Sequence, residues 1–194
     1  MKKELRILWF AMIIAGWTLA SSAATLPAQA AGNMPRQSPV PFATIKEVKP
    51  FAYCVIVHKG PLTDMAGVIT QLMQAVQAQD LFPLVRGPVI GVYYNSPTQV
   101  KPGELIWEVG FPVAEQAAPK APLEKKTWNR TTVAEAVHTG PYAKTGEAIQ
   151  RLMDWIEAQG YVIAGPTLER YLNNPMQVKP EELRTEIWIP VKRK

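Results

Sequence analysis

The feature that most constrains the fold of this chain is an internal repeat. Residues 87–113 align without gaps on residues 165–191, and 14 of the 27 positions are identical. Upstream, the His-X-Gly-Pro segments that begin at His58 and His138 align in the same order. Self-similarity at a fixed period indicates that one structural unit has been duplicated. The sequence therefore predicts two equivalent modules that follow one another along the chain.

Each copy reads as strand, helix, strand, strand. In the first copy the predicted strands are Phe51–Val57, Val89–Tyr94 and Leu105–Val113. In the second copy the first strand is Thr131–Val137, and two strands follow with Asn173-Asn174-Pro175 between them. Apolar residues recur at helical spacing between the first two strands of each copy, as Met65, Val68, Ile69, Leu72 and Val76 and as Ile149, Leu152, Met153 and Ile156.

Neither βαββ unit is long enough to bury its sheet alone, so the two are expected to share one core. This predicts a single α+β domain over 42–194, with one copy at 42–113 and the other at 127–194. The segment 114–126 between them (AEQAAPKAPLEKK) is rich in alanine, proline and charge and is predicted to be a linker. Gly160 is predicted to cap the second helix.

The N-terminal segment 1–30 has the organisation of a secretory signal peptide. Lys2, Lys3 and Arg6 precede an apolar run from Ile7 to Ala20, and Ala28-Gln29-Ala30 offers small residues for cleavage. The run is shorter than the roughly 20 residues of a spanning helix, although an uncleaved anchor is the alternative. The segment 31–41, with three prolines, is predicted to be a linker. We expect a soluble protein in the periplasm or outside the cell, with no stable membrane insertion after cleavage.

The composition excludes several classes of site. Cys54 is the single cysteine and is expected to be buried, and His58 and His138 are the only histidines. A disulfide framework, a cysteine-based zinc cluster and a multi-histidine metal site are therefore excluded within one chain, and we predict no metal or cofactor. The net charge of +5 includes no long basic run, so no nucleic acid partner is expected.

Two segments of the second copy resemble a known family. VHTGPYAKTGEAIQRLMDWI (137–156) and GPTLERYLNNPMQVKPEELRTEIWIPV (165–191) are similar to the helix and closing strand pair of the GyrI-like small-molecule-binding family, which also serves as the effector-binding domain of AraC-type and MerR-type regulators. The resemblance implies an antiparallel sheet, pseudo-two-fold symmetry and a central ligand cleft for amphipathic, often cationic or aromatic molecules. It assigns the family's cleft glutamate to Glu186.

The candidate ligand-binding residues lie on the last two strands of each copy. Alternation places Glu186 and Trp188 on the face of the last strand that points away from the helix stripe. Glu108 is the repeat-related mate of Glu186, and a carboxylate beside an aromatic ring suits an organic cation. Tyr93 and Tyr171, which are also repeat-related, are candidates to line the cleft. The alternatives are a solvated surface position for Glu186 and ordinary sheet packing for the tyrosines.

The leading functional prediction is therefore an exported protein that binds a small organic ligand, with no catalytic residues. The alternatives are a hydrolase that uses Glu186 as a general base, and a haem-binding protein, since a related duplicated fold binds haem. The histidines are expected to form hydrogen bonds in the turn between strand and helix. Protein partners are not indicated by any sequence pattern.

The signal-peptide interpretation predicts a processed protein. When the full chain is expressed in a bacterium, material recovered from the periplasm should begin at or near Ala31, and N-terminal sequencing with intact mass measurement checks this. A full-length chain of 194 residues that remains in the membrane fraction would contradict the prediction and support the anchor.

Overall fold

A computed structural model describes residues 42–194 of the chain. The predicted signal peptide and the proline-rich linker at 31–41 lie outside the described residues. In chain order the elements are β1 (Ala43–Glu47), β2 (Phe51–Lys59), α1 (Met65–Ala78), β3 (Ile90–Tyr93), β4 (Ile106–Pro112), β5 (Glu124–Trp128), β6 (Thr132–Thr139), α2 (Thr145–Ala158), β7 (Tyr161–Ile163), β8 (Thr167–Tyr171) and β9 (Arg184–Arg193). Neither helix in this part of the chain is long and apolar enough to cross a membrane.

The strands form one antiparallel sheet with the order β1-β6-β9-β8-β3-β4-β2-β5, and β7 pairs with the outer part of β9. The α+β fold predicted from the sequence is confirmed. Both halves have the element order that the repeat predicts, with a strand, a helix and then a closing strand pair. The halves join at the centre of the sheet, where β3 pairs with β8.

Both helices pack on one side of the sheet, which we call the helix face. Helix α1 lies on β2 and β4, and α2 lies on β6, β7 and β9. Leu72 and Leu152 occupy equivalent places in the two helices and are fully buried against the strands. Since each helix covers the outer strands of its own half, the central strands β3 and β8 are left without a helix above them.

The opposite side of the sheet, which we call the back face, is closed by curvature. The rings of Phe51 on β2 and Trp188 on β9 lie 6.4 Å apart although four strand steps separate them. In a flat sheet those steps would span about 19 Å, so the sheet coils strongly. A second apolar core fills the concave side and contains Tyr53, Val55, Ile90, Val92, Trp128, Val133, Leu168 and Trp188.

Three strands were missed or misplaced in the sequence interpretation. β1 and β7 were not predicted, and β5 begins at Glu124, inside the segment predicted to be a linker. Ala117 and Leu123 of that segment are buried in the core under α1. The linker interpretation is therefore wrong over its second part, because β5 pairs with β2 and the chain before it covers that core.

The helices end in equivalent left-handed turns. Gly160 follows α2 with a φ of +76°, which confirms the predicted glycine cap, and Asp80 takes the matching position after α1 with a φ of +52°. Left-handed backbone is unstrained for glycine, whereas a β-carbon makes it unfavourable.

We therefore expect alanine substitutions at two glycines of the second half to have opposite effects on stability. Gly160→Ala should lower the free energy of unfolding by about 1 kcal/mol because of the left-handed backbone. Gly146→Ala, at an exposed position in α2 where a Cβ meets nothing within 4 Å, should raise it by about 0.5–1 kcal/mol. Urea denaturation of both variants measures the difference. Equal effects of the two substitutions would contradict the assignment of Gly160 as the cap.

Candidate ligand-binding site

A cleft of about 1700 Å³ opens on the helix face between α1 and α2. Its floor is the central strand pair β3 and β8. Its two walls are the inner edges of the helices, and the residues that line them include Met65, Ile69, Met73, Thr145, Ile149 and Met153. The apolar residues predicted for each helix therefore have two different roles. Leu72 and Leu152 pack on the sheet, whereas the neighbouring apolar residues face the cleft.

A chain of hydrogen bonds crosses the floor. The Tyr93 and Tyr171 hydroxyls are 2.7 Å apart, and the Tyr171 hydroxyl donates to Oε2 of Glu169 at 3.0 Å. Because the single hydrogen of Tyr171 goes to the carboxylate, the Tyr93 hydroxyl is the donor to Tyr171. Burial raises the pKa of both tyrosines, and the nearby Glu169 raises it further. Both phenols are therefore neutral donors: Tyr93 donates to Tyr171, and Tyr171 donates to Glu169.

Glu169 is the charged group of this floor. It is only 7% exposed, and burial raises its pKa to about 7, an effect that the hydrogen bond from Tyr171 opposes. Among residues 42–194 no basic side chain forms an ion pair with it, and Tyr171 is its hydrogen-bond partner. A buried carboxylate without a cationic partner is costly, because desolvation penalises the charged form.

The position of Glu169 coincides with the centre of the repeat. Its equivalent in the first copy is Gly91, and Gly91 and Glu169 are direct cross-strand partners between β3 and β8. A Cβ at position 91 would lie 2.9 Å from the Tyr93 hydroxyl and 3.1 Å from the Tyr171 hydroxyl. The glycine therefore leaves room for the hydrogen-bonded tyrosines, and it gives the floor one carboxylate instead of two.

Of the five predicted ligand-binding residues, Tyr93 and Tyr171 line the cleft, whereas Glu186, Trp188 and Glu108 do not. Strand alternation was interpreted correctly, because Glu186 and Trp188 do point away from the helices. The cleft was assigned to the wrong face. It lies on the helix face, in the gap above the central strands, while the coiled sheet encloses the back face.

The back-face glutamates already have cationic partners. Glu186 forms an ion pair with Arg170, whose guanidinium lies 4.8 Å from the centre of the Trp188 ring. A second carboxylate, Glu135, accepts from Trp188 Nε1 at 2.9 Å and pairs with Lys46. Burial raises the pKa of Glu186, and Arg170 partly opposes this rise. The pair with Arg170 thus supplies the positive charge that the prediction assigned to a ligand.

Glu108 on β4 also has a cationic partner on the back face. It is 1% exposed, forms an ion pair with Lys126, and accepts a hydrogen bond from the Tyr94 hydroxyl at 2.8 Å. The two predicted glutamates thus take the same place in the two halves, opposite Val57 on β2 and Val137 on β6, and each has a cationic partner.

Glu169 is not among the five residues predicted from the sequence. Gly91 stands at the equivalent position, so the comparison of repeats gave no signal there. The signal that could have found it is strand alternation, since Glu169 lies two residues before Tyr171 and must share its face.

The remaining chemically distinctive residues lie outside the cleft. His58 Nε2 lies 2.8 Å from an Asp64 oxygen, and His138 Nε2 lies 3.2 Å from the Pro141 carbonyl oxygen. Both contacts are in the turn between strand and helix, as expected. Cys54 is fully buried. Within residues 42–194 no three histidine, cysteine or acidic side chains are grouped so that they could hold a metal ion.

Comparison with family models gives this geometry a context. The model of the GyrI-like small molecule binding domain matches residues 43–192. The chain belongs to the GyrI-like family. Small-molecule binding is therefore the general function of the domain, and the cleft between the helices is the candidate site for it. No protein among the curated sequences compared matches the chain.

Solved structures share the fold at low sequence identity. The C-terminal domain of EcmrR is 21% identical, with a TM-score of 0.69 over 78% of this chain and 98% of that one. A hydrolase from Listeria innocua is 12% identical, with a TM-score of 0.61 over 77% and 91% of the two chains. SAV2435 bound to tetraphenylphosphonium is 16% identical, with a TM-score of 0.53 over 77% and 97%.

The buried carboxylate predicts a pH-dependent stability. The folded-state pKa of Glu169, about 7, is above its ordinary value of 4.5, so stability should fall as pH rises from about 4.5 through 7. Glu169→Gln should remove this loss, which corresponds to roughly 3 kcal/mol. Urea denaturation should then show the variant to be more stable than the wild type at pH 8 and similar at pH 5. Glu181→Gln, an exposed control, should change neither value, and a Glu169→Gln variant that is less stable at pH 8 would contradict the argument.

Proposed function

We propose that this chain is an exported binding protein for an amphipathic cation, which it holds in the cleft between α1 and α2 with Glu169 as the anionic contact. The observation that carries the proposal is a buried carboxylate without an ion-pair partner in the described residues, at the floor of a cleft with apolar walls. A bound cation would supply the ion-pair partner of Glu169, and its apolar body would shield the apolar cleft walls from water.

The composition of the walls supports a ligand with a broad apolar surface. Met65, Met73 and Met153 line the cleft, and methionine adapts to irregular apolar shapes because it is unbranched and polarisable. Tyr142 lies edge-on to Tyr171 with ring centres 5.4 Å apart, which adds aromatic surface close to Glu169. Rings together with a carboxylate replace the hydration that an organic cation loses. The tetraphenylphosphonium complex of SAV2435 provides a probe of this chemical class.

The affinity for a cation should depend on pH. A cation binds the ionised form of Glu169, so binding should lower the pKa of that carboxyl and release a proton. Because the pKa of Glu169 in the free protein is about 7, the affinity should reach its maximum above pH 8. It should fall about tenfold for each pH unit below 7.

A hydrolase is the second candidate function. A carboxyl whose pKa is about 7 is well suited to act as a general base at neutral pH, and two phenolic hydroxyls lie next to it. A hydrolase from Listeria innocua has the same fold. Turnover of an ester or other reactive small molecule, lost in Glu169→Gln, would favour this function over stoichiometric binding.

The experiment compares two ions of the same shape and opposite charge. Calorimetric titration at pH 8 should show that tetraphenylphosphonium binds more tightly than tetraphenylborate. Glu169→Gln should weaken tetraphenylphosphonium by about 2 kcal/mol or more, roughly 30-fold, as when one partner of a buried charge pair is removed. The same substitution should not weaken tetraphenylborate, because the repulsion from the carboxylate is lost.

Glu186→Gln is the matched control, since it makes the same chemical change on the back face. It should leave the affinity of both ions within twofold of the wild type. Equal affinity of the two ions for the wild type, or a larger effect of Glu186→Gln than of Glu169→Gln, would refute the proposed site.

A further inference from the structure

The lining of the cleft is negatively charged in a protein whose net charge is +5. Within residues 42–194 the charged side chains of the lining are Glu147 and Glu169, and the lining includes no lysine or arginine. Glu169 lies at the floor and is 7% exposed. Glu147, the third residue of α2, is exposed, so it belongs to the part of the lining that meets solvent. Negative charge is thus present both at the mouth of the cleft and at its floor.

Both acidic residues come from the second half, and both stand where the first half has glycine. The alignment of the two helices pairs Glu147 with Gly67, and Gly91 is the equivalent of Glu169. The residues that the first half contributes to the lining are all uncharged. The charge of the cleft is therefore a property of the second half, and Gly67 is a matched position on the other helix that has no side chain.

Glu147 has no basic partner in the part of the chain that the structure describes. Arg151 lies one turn further along α2, at the (i, i+4) spacing that commonly pairs a glutamate with a cation. Its guanidinium lies instead over the ring of Phe42, 4.2 Å from the ring centre. The salt bridges among residues 42–194 do not include Glu147. A neighbouring side chain therefore does not neutralise this charge at the mouth of the cleft.

A charge at the mouth and a charge at the floor act on different steps of binding. An exposed charge is hydrated and screened by salt, so it adds little to the stability of a bound complex. It acts at a distance, because a cleft lined with one sign of charge attracts ions of the opposite sign and raises their association rate. Removal of a charge at the rim changes the association rate and its salt dependence, whereas removal of a buried partner changes the dissociation rate.

We propose that Glu147 is an entrance residue that speeds the association of cations with the cleft, whereas Glu169 slows their dissociation. The inference rests on the proposed function and adds to it a residue that acts before the ligand reaches the floor. A purely structural role is the alternative, since an acidic residue in the first turn of a helix also interacts favourably with the helix dipole. That role alone leaves the association rate unchanged.

The test measures both rate constants for tetraphenylphosphonium at pH 8. Line shapes in phosphorus NMR give koff, calorimetric titration gives Kd, and the ratio koff/Kd gives kon. At about 10 mM salt, where the screening length is about 30 Å, Glu147→Gln should lower kon about threefold and leave koff within about 1.5-fold. At about 1 M salt, where the screening length is about 3 Å, kon of the variant and of the wild type should coincide. Glu169→Gln should act mainly by raising koff.

Two further variants separate position from net charge. Glu157→Gln makes the same change of charge at an exposed position of α2 outside the cleft, and it should leave kon within about 1.5-fold of the wild type. Gly67→Glu adds a carboxylate at the matched position of α1, where a Cβ meets nothing within 4 Å. It should raise kon about threefold at about 10 mM salt, because the mouth then carries a second negative charge.

Four results would overturn the inference even if Glu169→Gln still weakened binding. They are an unchanged kon in Glu147→Gln, an equal decrease in Glu157→Gln, a decrease that persists at about 1 M salt, and a kon of Gly67→Glu that does not exceed that of the wild type. If tetraphenylphosphonium did not bind the wild type at all, the proposed function would fail, and this inference with it.

Discussion

The pairing of β3 with β8 is the constraint on which the rest of this structure depends. Each half covers its own outer strands with its own helix, and the halves join at the centre of the sheet through their innermost strands. At one edge of the sheet, β1 of the first half also pairs with β6 of the second. The central pairing keeps the two helices apart and leaves the strands between them uncovered. The cleft is therefore a consequence of joining two βαββ units edge to edge, and its floor is the seam between them.

The pairing of β3 with β8 also places the polar residues of the cleft floor next to one another. Gly91 and Glu169 are equivalent in the repeat and directly opposed in the sheet, so two glutamates here would place two buried carboxylates side by side. One glycine avoids that repulsion and leaves space for Tyr93 and Tyr171 to hydrogen-bond above it.

Glu169 differs from the other two buried glutamates because it has no ion-pair partner among the described residues. Glu108 and Glu186 form ion pairs with Lys126 and Arg170 on the back face of the sheet. Glu169 has a hydrogen bond from Tyr171 but no cation among the described residues. Such an uncompensated group lowers the stability of the free protein when it is ionised, and groups of this kind are concentrated at functional sites.

The repeated order of strand, helix and strand pair can be predicted from the sequence, because apolar spacing and turn residues are local signals. Strand alternation likewise predicts that Glu186 and Trp188 share a face. The sequence gives no comparable signal for β1, β7 or the start of β5, which depend on strands distant in the chain for their pairing. Which face carries the cleft depends on the tertiary structure. Alternation sorts side chains between two faces, but the coiling of the sheet and the spacing of the helices decide which face is closed and which is open to a ligand.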